Sequence, residues 1–458
     1  MKTKKVALRS SRHIGAIRAA VRRIGAEGID ISDRIAAFAE PPLKEFKSAD
    51  LLADFLSRKG FAVSRPWRNL PTAFRAVAGK GGPAVAILAE YDALPDCGPR
   101  TGQWGHGCGH NLLGAAAALA GVAAAGVLAK LKRPGRIVVI GTPAEETLGG
   151  KVFIGQQRGY RGLDAVLAWH PGSETRADLA GLTAMDSILF EFRGRTSHAA
   201  GGPHKGRSAL DAAMLMDVMI NYLREHVESN CRMHCVITDG GKAPNVVPDR
   251  ASIWYYIRGK DRRQVDGLRR RVVLCAKSAA TATETAWRMD VISCCTERVQ
   301  VKSMAEMVDA VLRRCGAPKF SAADLRAARK VMPKAVFNKK IEPIKDKQGH
   351  GSSDEDNVSW FAPLGRMSVA CVPKDTIGHH RDEAALSVTS GAHRGMVRAA
   401  EALAACAVEL AINPAALRAA TAEFRKAMKG RKYKLPLSPR AVELSEALAA
   451  RTAPKSSP

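Results

Sequence analysis

Residues 84–90 (AVAILAE), 136–141 (RIVVIG) and 165–169 (AVLAW) are three apolar runs, each with the length of a buried strand, and together they indicate the architecture of the chain. The side chains that follow these runs can bind a metal ion or move a proton; they are Cys108, His110, Glu145, Glu146 and His170. The carboxyl ends of parallel strands share one edge of a sheet, so residues that are distant in the chain can meet there. The three runs therefore predict a parallel sheet with a shared crevice at that edge.

The wider pattern predicts two domains. Strand-like and helical patterns alternate from about residue 60 to 171, as in a mostly parallel sheet with crossover helices on both faces. From 182 to 297, strand-like runs surround a helix rich in Leu and Met, which predicts an inserted α+β unit. We therefore expect an α/β fold in which 1–181 and 298–428 form one domain that is interrupted by 182–297. Residues 429–458 are interpreted as a solvated basic tail.

The residues after the three runs favour a metal site when they are considered together. Cys108 and His110 are separated by one glycine in a loop, so both side chains can turn toward one ion. Glu145 and Glu146 are adjacent carboxylates, which repel each other unless a cation or a proton-transfer role compensates. Taken singly, these residues have ordinary alternatives: a buried thiol, a solvated acidic loop, or a core histidine at His170. Together they suit zinc, with manganese and cobalt left open.

The positive charge of the chain makes binding of nucleic acid or another polyanion a second possible class of function. Lys and Arg number 71 against 44 Asp and Glu, a formal net charge of +27, and part of this excess lies at the termini. A nucleic-acid module would combine basic residues with exposed aromatic side chains, but only 5% of the chain is aromatic. Nucleic acid is therefore not the expected partner. A noncatalytic polyanion-binding protein is kept as the alternative from another class.

The cysteines and apolar runs bear on the compartment. Ten cysteines are spread over a long chain without the framework of a small secreted domain, which indicates a reducing environment. The N-terminus lacks the apolar core of a signal peptide, and the Ala/Gly-rich run 112–131 is interpreted as a buried helix. We expect a cytoplasmic protein that does not associate with a membrane.

Eight short motifs show that the chain resembles the zinc aminoacylase and carboxypeptidase superfamily, in its amidohydrolase branch. The resemblance covers about residues 24–428, and its motifs occur in the family's order. They are AEYDALP (89–95), GHGCGHNLLG (105–114), GTPAEE (141–146), WHP (169–171), SHAA (197–200), PNVVPD (244–249), WYYIR (254–258) and SSD (352–354).

The resemblance implies a site for two divalent metal ions. Its implied ligands are Cys108, His110, Glu146, His170 and His379. His380 is the alternative to His379, because the doubled histidine departs from the family's pattern. The resemblance also implies that Cys108 bridges the ions as a thiolate and that Asp92 orients a ligand imidazole. Glu145 would be the general base that takes a proton from the attacking water and passes it to the leaving amine.

For the inserted domain, the resemblance implies a lid that also forms a homodimer. His198 would stabilise the oxyanion, often from the partner subunit, and Asn245 and Arg258 would bind substrate. Arg258 suits a carboxylate because its guanidinium can bind one in a bidentate manner, although a surface salt bridge would explain it equally well.

The expected reaction is hydrolysis of the amide between an acyl or aroyl group and an amino acid. Substrates similar to p-aminobenzoyl-glutamate are favoured, and dipeptides and other N-acyl amino acids are the alternatives within the same chemistry. Whether a second related subunit is required stays open.

Overall fold

A computed structural model describes residues 8–146 and 149–452, which form two sheets. The strands are β1 (Ala62–Ser64), β2 (Phe74–Ala78), β3 (Ala84–Ala89), β4 (Arg136–Gly141), β5 (Ala165–Gly172), β6 (Arg176–Asp178), β7 (Ala184–Arg193), β8 (Arg232–Asp239), β9 (Arg250–Gly259), β10 (Ala286–Cys295) and β11 (Leu364–Ala370). The helices are α1 (Ile14–Phe38), α2 (Phe46–Arg58), α3 (His110–Lys130), α4 (Gly150–Gln156), α5 (Ala209–Leu223), α6 (Arg262–Ala282), α7 (Lys302–Cys315), α8 (Ala322–Arg329), α9 (Glu355–Val358), α10 (Arg381–Ser387), α11 (Ser390–Ile412), α12 (Pro414–Met428) and α13 (Ala441–Thr452).

The larger sheet has the strand order β1-β2-β4-β3-β5-β11-β6. Its four central strands, β4, β3, β5 and β11, are mutually parallel, and the strands outside them pair antiparallel. Every residue of β3 is buried, because helices cover both faces of the sheet. The side chains of β3 alternate between two cores, so that Ile87 packs with α3 and α11 while Leu88 packs toward α4. The expected α/β fold class is confirmed.

Helix α3 lies in the centre of the larger core, against α1 and α11. Its glycines allow this close packing: a Cβ at Gly121 would lie 2.4 Å from Cγ2 of Val139 in the sheet. Among the described residues α3 alone is long and apolar enough to cross a membrane, and 78% of that stretch is buried inside the protein. The expectation of a buried helix at 112–131 is therefore confirmed.

The smaller sheet is antiparallel, with the order β10-β7-β9-β8, and α5 and α6 pack against it. All four of its strands lie within the predicted insertion, 182–297. The chain leaves the larger sheet after β6 and returns to the first domain at α7, so the smaller sheet is an excursion from one continuous domain. Strand β8 lies at the edge of the smaller sheet.

The interpretation of 429–458 as a solvated tail is wrong for the residues that the structure describes there. Leu435 is buried in the core of the inserted domain, and helix α13 packs on β10. Tyr433 Oη lies 3.0 Å from Nδ2 of Asn357, and Ser438 Oγ accepts a hydrogen bond of 3.0 Å from the backbone N–H of Val291. Within this basic segment a few apolar side chains, of which Leu444 is one, are buried and pack the segment against the inserted domain.

Substitution of Leu444 by alanine tests this packing. Leu444 is 8% exposed and contacts Leu189 and Ile292 of the smaller sheet. We expect Leu444→Ala to lower the free energy of unfolding by about 2 kcal/mol, because deletion of a buried leucine side chain leaves a cavity. Chemical denaturation measures the change. Val442, which is partly buried, provides the control: Val442→Ala should have a smaller effect, and equal effects would contradict the packing.

Candidate metal centre and active site

The residues that follow the parallel strands converge at one edge of the larger sheet. Three groups of side chains have potential ligand atoms within 4.8 Å of one another. The groups are Cys108 with His110 and His170; Cys108 with Glu146 and His379; and His110 with Glu145 and Glu146. Cys108 belongs to two of the groups, so the cluster is continuous. The edge where these groups meet is formed by the carboxyl ends of β3, β4, β5 and β11.

Cys108 and His110 are positioned by a tight turn at the start of α3. Gly109 has φ +70°, and a Cβ there would lie 2.7 Å from Cγ of Pro171, which follows His170 in β5. A glycine is therefore required both for the backbone conformation and for the close approach to β5. The turn places Cys108 Sγ 3.4 Å from Nε2 of His170.

Asp92 fixes the orientation of His110. Its Oδ1 lies 2.9 Å from His110 Nδ1, and its Oδ2 accepts a hydrogen bond of 2.9 Å from the backbone N–H of Glu146. His110 Nε2 therefore faces the cluster, 3.3 Å from Glu90 Oε2 and 3.8 Å from Glu146 Oε1. A carboxylate that holds one nitrogen of an imidazole leaves the other nitrogen free to bind a metal ion.

Of the two adjacent histidines, His379 is the one that faces the cluster. Its Nε2 lies 3.4 Å from Glu146 Oε2, and its backbone N–H donates to the carbonyl of Gly107 at 2.8 Å. His380 instead caps α10, because its Nδ1 accepts a hydrogen bond of 3.2 Å from the backbone N–H of Asp382. The structure thus separates two residues that the sequence left as alternatives.

The chemistry of this cluster fits bound cations. His110 Nε2 and Glu146 Oε1 are buried without a hydrogen-bond partner, although such atoms rarely remain unpaired in proteins. Burial raises the pKa of the Cys108 thiol and that of the Glu146 carboxyl, so both anions require a nearby positive charge. Burial, with the charge of Arg366, lowers the pKa of His170 to about 4, which keeps its imidazole neutral and able to bind a metal.

Glu145 belongs to one of the three groups and is held by a hydrogen bond from outside the cluster. Its Oε1 accepts a hydrogen bond of 2.7 Å from Ser353 Oγ, which reaches it from the segment before α9. Burial, and next the charge of Glu90, raise the pKa of Glu145 above that of an ordinary glutamate. A raised pKa suits a carboxylate that must take up a proton and release it again near neutral pH.

Three charged residues that we did not predict for the site form a buried network beside it. The Lys151 ammonium group is fully buried, 2.8 Å from Glu90 Oε1 and 2.5 Å from Asp354 Oδ1. Glu90 could have been recognised, since it follows β3 directly, as Asp92 does. No sequence pattern indicated that Lys151 is buried, because a lysine on a short helix is typical of a solvated surface.

The residues predicted for the inserted domain lie apart from this cluster. His198 and Asn245 are exposed and close to each other: the backbone N–H of Ala199 donates to the carbonyl of Asn245 at 3.0 Å. Within 8–146 and 149–452 no hydrogen bond or ion pair connects either residue to the metal-binding groups. The Nδ1 of His198 accepts hydrogen bonds from the backbone of Ala200 and Gly201, which leaves its Nε2 directed elsewhere.

Arg258 is the inserted-domain residue that does reach the edge of the cluster. Its Nη1 donates a hydrogen bond of 2.7 Å to Ser352 Oγ, and its guanidinium lies 5.5 Å from the ring centre of Tyr256. Ser352 precedes the serine that contacts Glu145. A substrate bound at Arg258 would therefore lie close to Glu145.

A buried cluster of thiol, imidazole and carboxylate groups beside a carboxylate with a raised pKa defines the class of a hydrolase that acts with bound metal. Residues 86–456 match the model of peptidase family M20/M25/M40. The chain belongs to this family and is an amidohydrolase, an enzyme that acts on amide bonds. Family membership decides against the noncatalytic polyanion-binding alternative.

Two relatives are similar to this chain over most of its length. The chain is 31% identical over 453 residues to one of the subunits of the p-aminobenzoyl-glutamate hydrolase of Escherichia coli (strain K12), covering 89% of this chain and 94% of that protein. It is also 31% identical over 422 residues to the Xaa-Arg dipeptidase of Mus musculus, covering 89% and 90%. These relatives confirm the resemblance on which the sequence interpretation rests.

Solved structures share the fold at lower identity. An aminobenzoyl-glutamate utilization protein from Klebsiella pneumoniae superposes with a TM-score of 0.58 at 19% identity, covering 86% of this chain and 98% of that one. A dinuclear metal-binding peptidase of the M20 family from Bacillus subtilis superposes with a TM-score of 0.55 at 16% identity, covering 85% and 99%. These two proteins therefore share the fold of this chain over most of its length.

Proposed function

We propose that the protein hydrolyses the amide between an acyl or aroyl group and an amino acid by using two divalent metal ions. The observation that carries the proposal is the buried cluster of potential ligands in which His110 Nε2 and Glu146 Oε1 lack a hydrogen-bond partner. Cys108, His110, Glu146, His170 and His379 would hold the ions. When bound, the ions would polarise the scissile carbonyl and make water a better nucleophile. Thiolate, imidazole and carboxylate together favour zinc, and manganese and cobalt are the alternatives.

The proton transfers fall to Glu145. Its carboxylate would accept a proton from the attacking water and donate it to the nitrogen of the leaving amine, so that the residue returns to its starting state. Asp92 would keep His110 oriented throughout, because its Oδ1 holds His110 Nδ1.

The substrate class is inferred from Arg258 and from the relatives. A guanidinium at the edge of the site suits the carboxylate of the amino-acid half, which p-aminobenzoyl-glutamate, N-acyl amino acids and dipeptides share. All three are represented in the names of the relatives: a p-aminobenzoyl-glutamate hydrolase, a dipeptidase and, over about half of this chain, an N-acetyl-L-cysteine deacetylase. We favour p-aminobenzoyl-glutamate-like substrates, since that relative is matched over more residues.

Substitution of Arg258 tests carboxylate binding. We expect Arg258→Ala to raise the KM for carboxylate substrates by about 10- to 100-fold, because a hydrogen bond between charged groups is lost. The KM for the matched carboxamide substrate should change little. Steady-state kinetics on both substrates measure the difference. An equal rise in both KM values would assign Arg258 to the structure of the lid.

A homodimer is supported by exposed apolar side chains on the inserted domain. On α5 these are Met214, Val218 and Tyr222, spaced four residues apart and exposed by 54%, 49% and 77%. On the edge strand β8, Val236 and Ile237 are exposed by 55% and 49%. An apolar helix face beside an unpaired strand edge is a typical surface for a second copy of the chain. The exposed His198 would then act at the partner's site.

Complementation between two inactive variants tests that arrangement. Dimers of His198→Ala and dimers of Glu145→Gln should each be nearly inactive. After subunit exchange, mixed dimers should regain turnover, because one of their two sites combines an intact Glu145 with an intact His198 from the other subunit. Analytical ultracentrifugation and activity assays measure assembly and recovery. Persistent inactivity of proven mixed dimers would show that both residues act within one chain.

The state of the cysteines supports a cellular compartment, and the proposed reaction defines the partners. All ten cysteines are free thiols, which is typical of a reducing environment, so we infer a cytoplasmic location. The proposed partners are the amide substrate and a second copy of the chain. A second, related subunit is the alternative partner.

The decisive experiment is metal analysis of the purified protein together with hydrolysis assays. The assay panel is p-aminobenzoyl-glutamate, N-acyl amino acids and dipeptides, each with and without a chelator. Turnover that the chelator abolishes and that added zinc restores would establish the proposal, and the best substrate would narrow the specificity. Bound metal without turnover would indicate a missing second subunit. A protein that binds no metal would overturn the proposal.

A further inference from the structure

The tripeptide Ser352-Ser353-Asp354 occupies a junction between the general base, the inserted domain and the buried lysine. Ser352 contacts Arg258, Ser353 contacts Glu145, and Asp354 contacts Lys151. We infer that Ser353, anchored by the Lys151–Asp354 ion pair, is the positioning residue that aims the Glu145 carboxylate. This inference rests on the proposed function, because it concerns the same general base.

The hydroxyl of Ser353 has one direction in which it can donate. Its oxygen accepts a hydrogen bond of 3.2 Å from the backbone N–H of Glu355, so its proton is directed to Glu145 Oε1 at 2.7 Å. One carboxylate oxygen of Glu145 is thereby fixed, and the other is left for the reacting water. Fixing the rotamer of a general base keeps it in the geometry that proton transfer requires.

The position of Ser353 depends in turn on Lys151. Asp354 Oδ1 lies 2.5 Å from Lys151 Nζ, and Asp354 Oδ2 accepts a hydrogen bond of 2.9 Å from the backbone N–H of Lys151. These two bonds fasten the start of α9 to the start of α4. Both side chains are fully or almost fully buried, so solvent cannot compete for the pair.

A second buried ion pair, which involves the two residues after Asp354, provides a comparison for the Lys151–Asp354 pair. Arg298 contacts Glu355 at 2.9 Å and Asp356 at 2.6 Å, and neither of these carboxylates bonds to Glu145. Substitutions of Arg298 and Lys151 can therefore be compared directly. Each removes a buried cation that contacts carboxylates at or near the start of α9. Only Lys151 contacts Asp354, the residue next to Ser353.

The test compares kinetics, metal content and structure in five single variants and one double variant. We expect Ser353→Ala to lower kcat about tenfold, with KM within twofold of wild type and full metal content, since one hydrogen bond to a charged group is removed. Ser353→Thr keeps the hydroxyl and should restore kcat. Ser352→Ala removes the neighbouring hydroxyl, which contacts Arg258 and not Glu145, so it should act mainly on KM and lower kcat clearly less than Ser353→Ala.

The anchor is tested by Lys151→Met beside Arg298→Met. Lys151→Met should lower kcat at least as much as Ser353→Ala and speed amide hydrogen exchange in residues 352–354. Adding Ser353→Ala to it should lower kcat no further, because the contact is already lost. Arg298→Met should lower stability and lower kcat clearly less than Lys151→Met, because Arg298 holds the side chain of Glu355 and does not contact Asp354. Should Lys151→Met fail to fold, the serine variants alone decide the inference.

Two outcomes overturn the inference, and they differ from a failure of the proposed function. One is a wild-type kcat in Ser353→Ala; the other is a crystal structure of that variant in which the Glu145 rotamer is unchanged. A wild-type protein without turnover on any substrate would contradict the proposed function instead. Even then, the Glu145 rotamer and the hydrogen exchange of 352–354 still decide whether Ser353 and Lys151 position the base.

Discussion

Glu145→Gln is expected to lower kcat by about 100- to 10,000-fold, the range that general acid–base catalysis supplies. An amide in place of the carboxylate can still accept the hydrogen bond from Ser353 Oγ but cannot take up the water proton. Folding and metal content should be close to those of wild type, because the side-chain volume is almost unchanged. Steady-state turnover and elemental analysis on the same preparation measure both quantities.

Glu409 provides the control for this substitution. It is a fully buried glutamate in α11 that accepts a hydrogen bond of 3.2 Å from the backbone N–H of Arg9, far from the metal-binding groups. Glu409→Gln should retain wild-type kcat, although stability is reduced. If Glu145→Gln retained more than about a tenth of the wild-type kcat, another group would have to transfer the proton.

His110→Ala is expected to abolish metal binding as well as activity. The imidazole belongs to two of the three groups of potential ligand atoms, and its removal also leaves the buried Asp92 without its partner. A metal ion that binds only the folded protein at 100 times its Kd adds about 2.7 kcal/mol of stability. Added zinc should therefore raise the Tm of the wild type but not that of His110→Ala.

A histidine in the same loop serves as the reference for that experiment. His106 is buried, and its Nε2 lies 3.1 Å from the carbonyl of Ile35, outside the three groups of potential ligands. His106→Ala should lose stability but keep its metal and its response to zinc. A zinc-dependent rise in Tm that persists in His110→Ala would remove His110 from the metal site.

Much of the site could be predicted because its residues follow strands that are apparent in the sequence. The apolar runs before Asp92, Glu145 and His170 are local patterns in the sequence. Because the strands they form are parallel, their carboxyl ends lie at one edge of the sheet for any conformation of the connecting loops. Local spacing also identified the Cys108 turn. It could not separate His379 from His380, because the backbone of the loop, and not its composition, decides which imidazole turns inward.

The fold class, the inserted domain and the metal-binding character of the residues after the strands could be predicted from the order of amino acids alone, since strand length and side-chain type are properties of short segments. The full set of candidate ligands, with His379, came from the resemblance to a known family. The roles of Lys151, Ser353 and the segment after Met428 became apparent only from the packing of the folded chain. Lys151 and its partner Asp354 are separated by 203 residues, and Leu444 packs on a strand that begins at residue 286. A buried charge or a packed terminus depends on which distant groups surround it, and no local pattern records that environment.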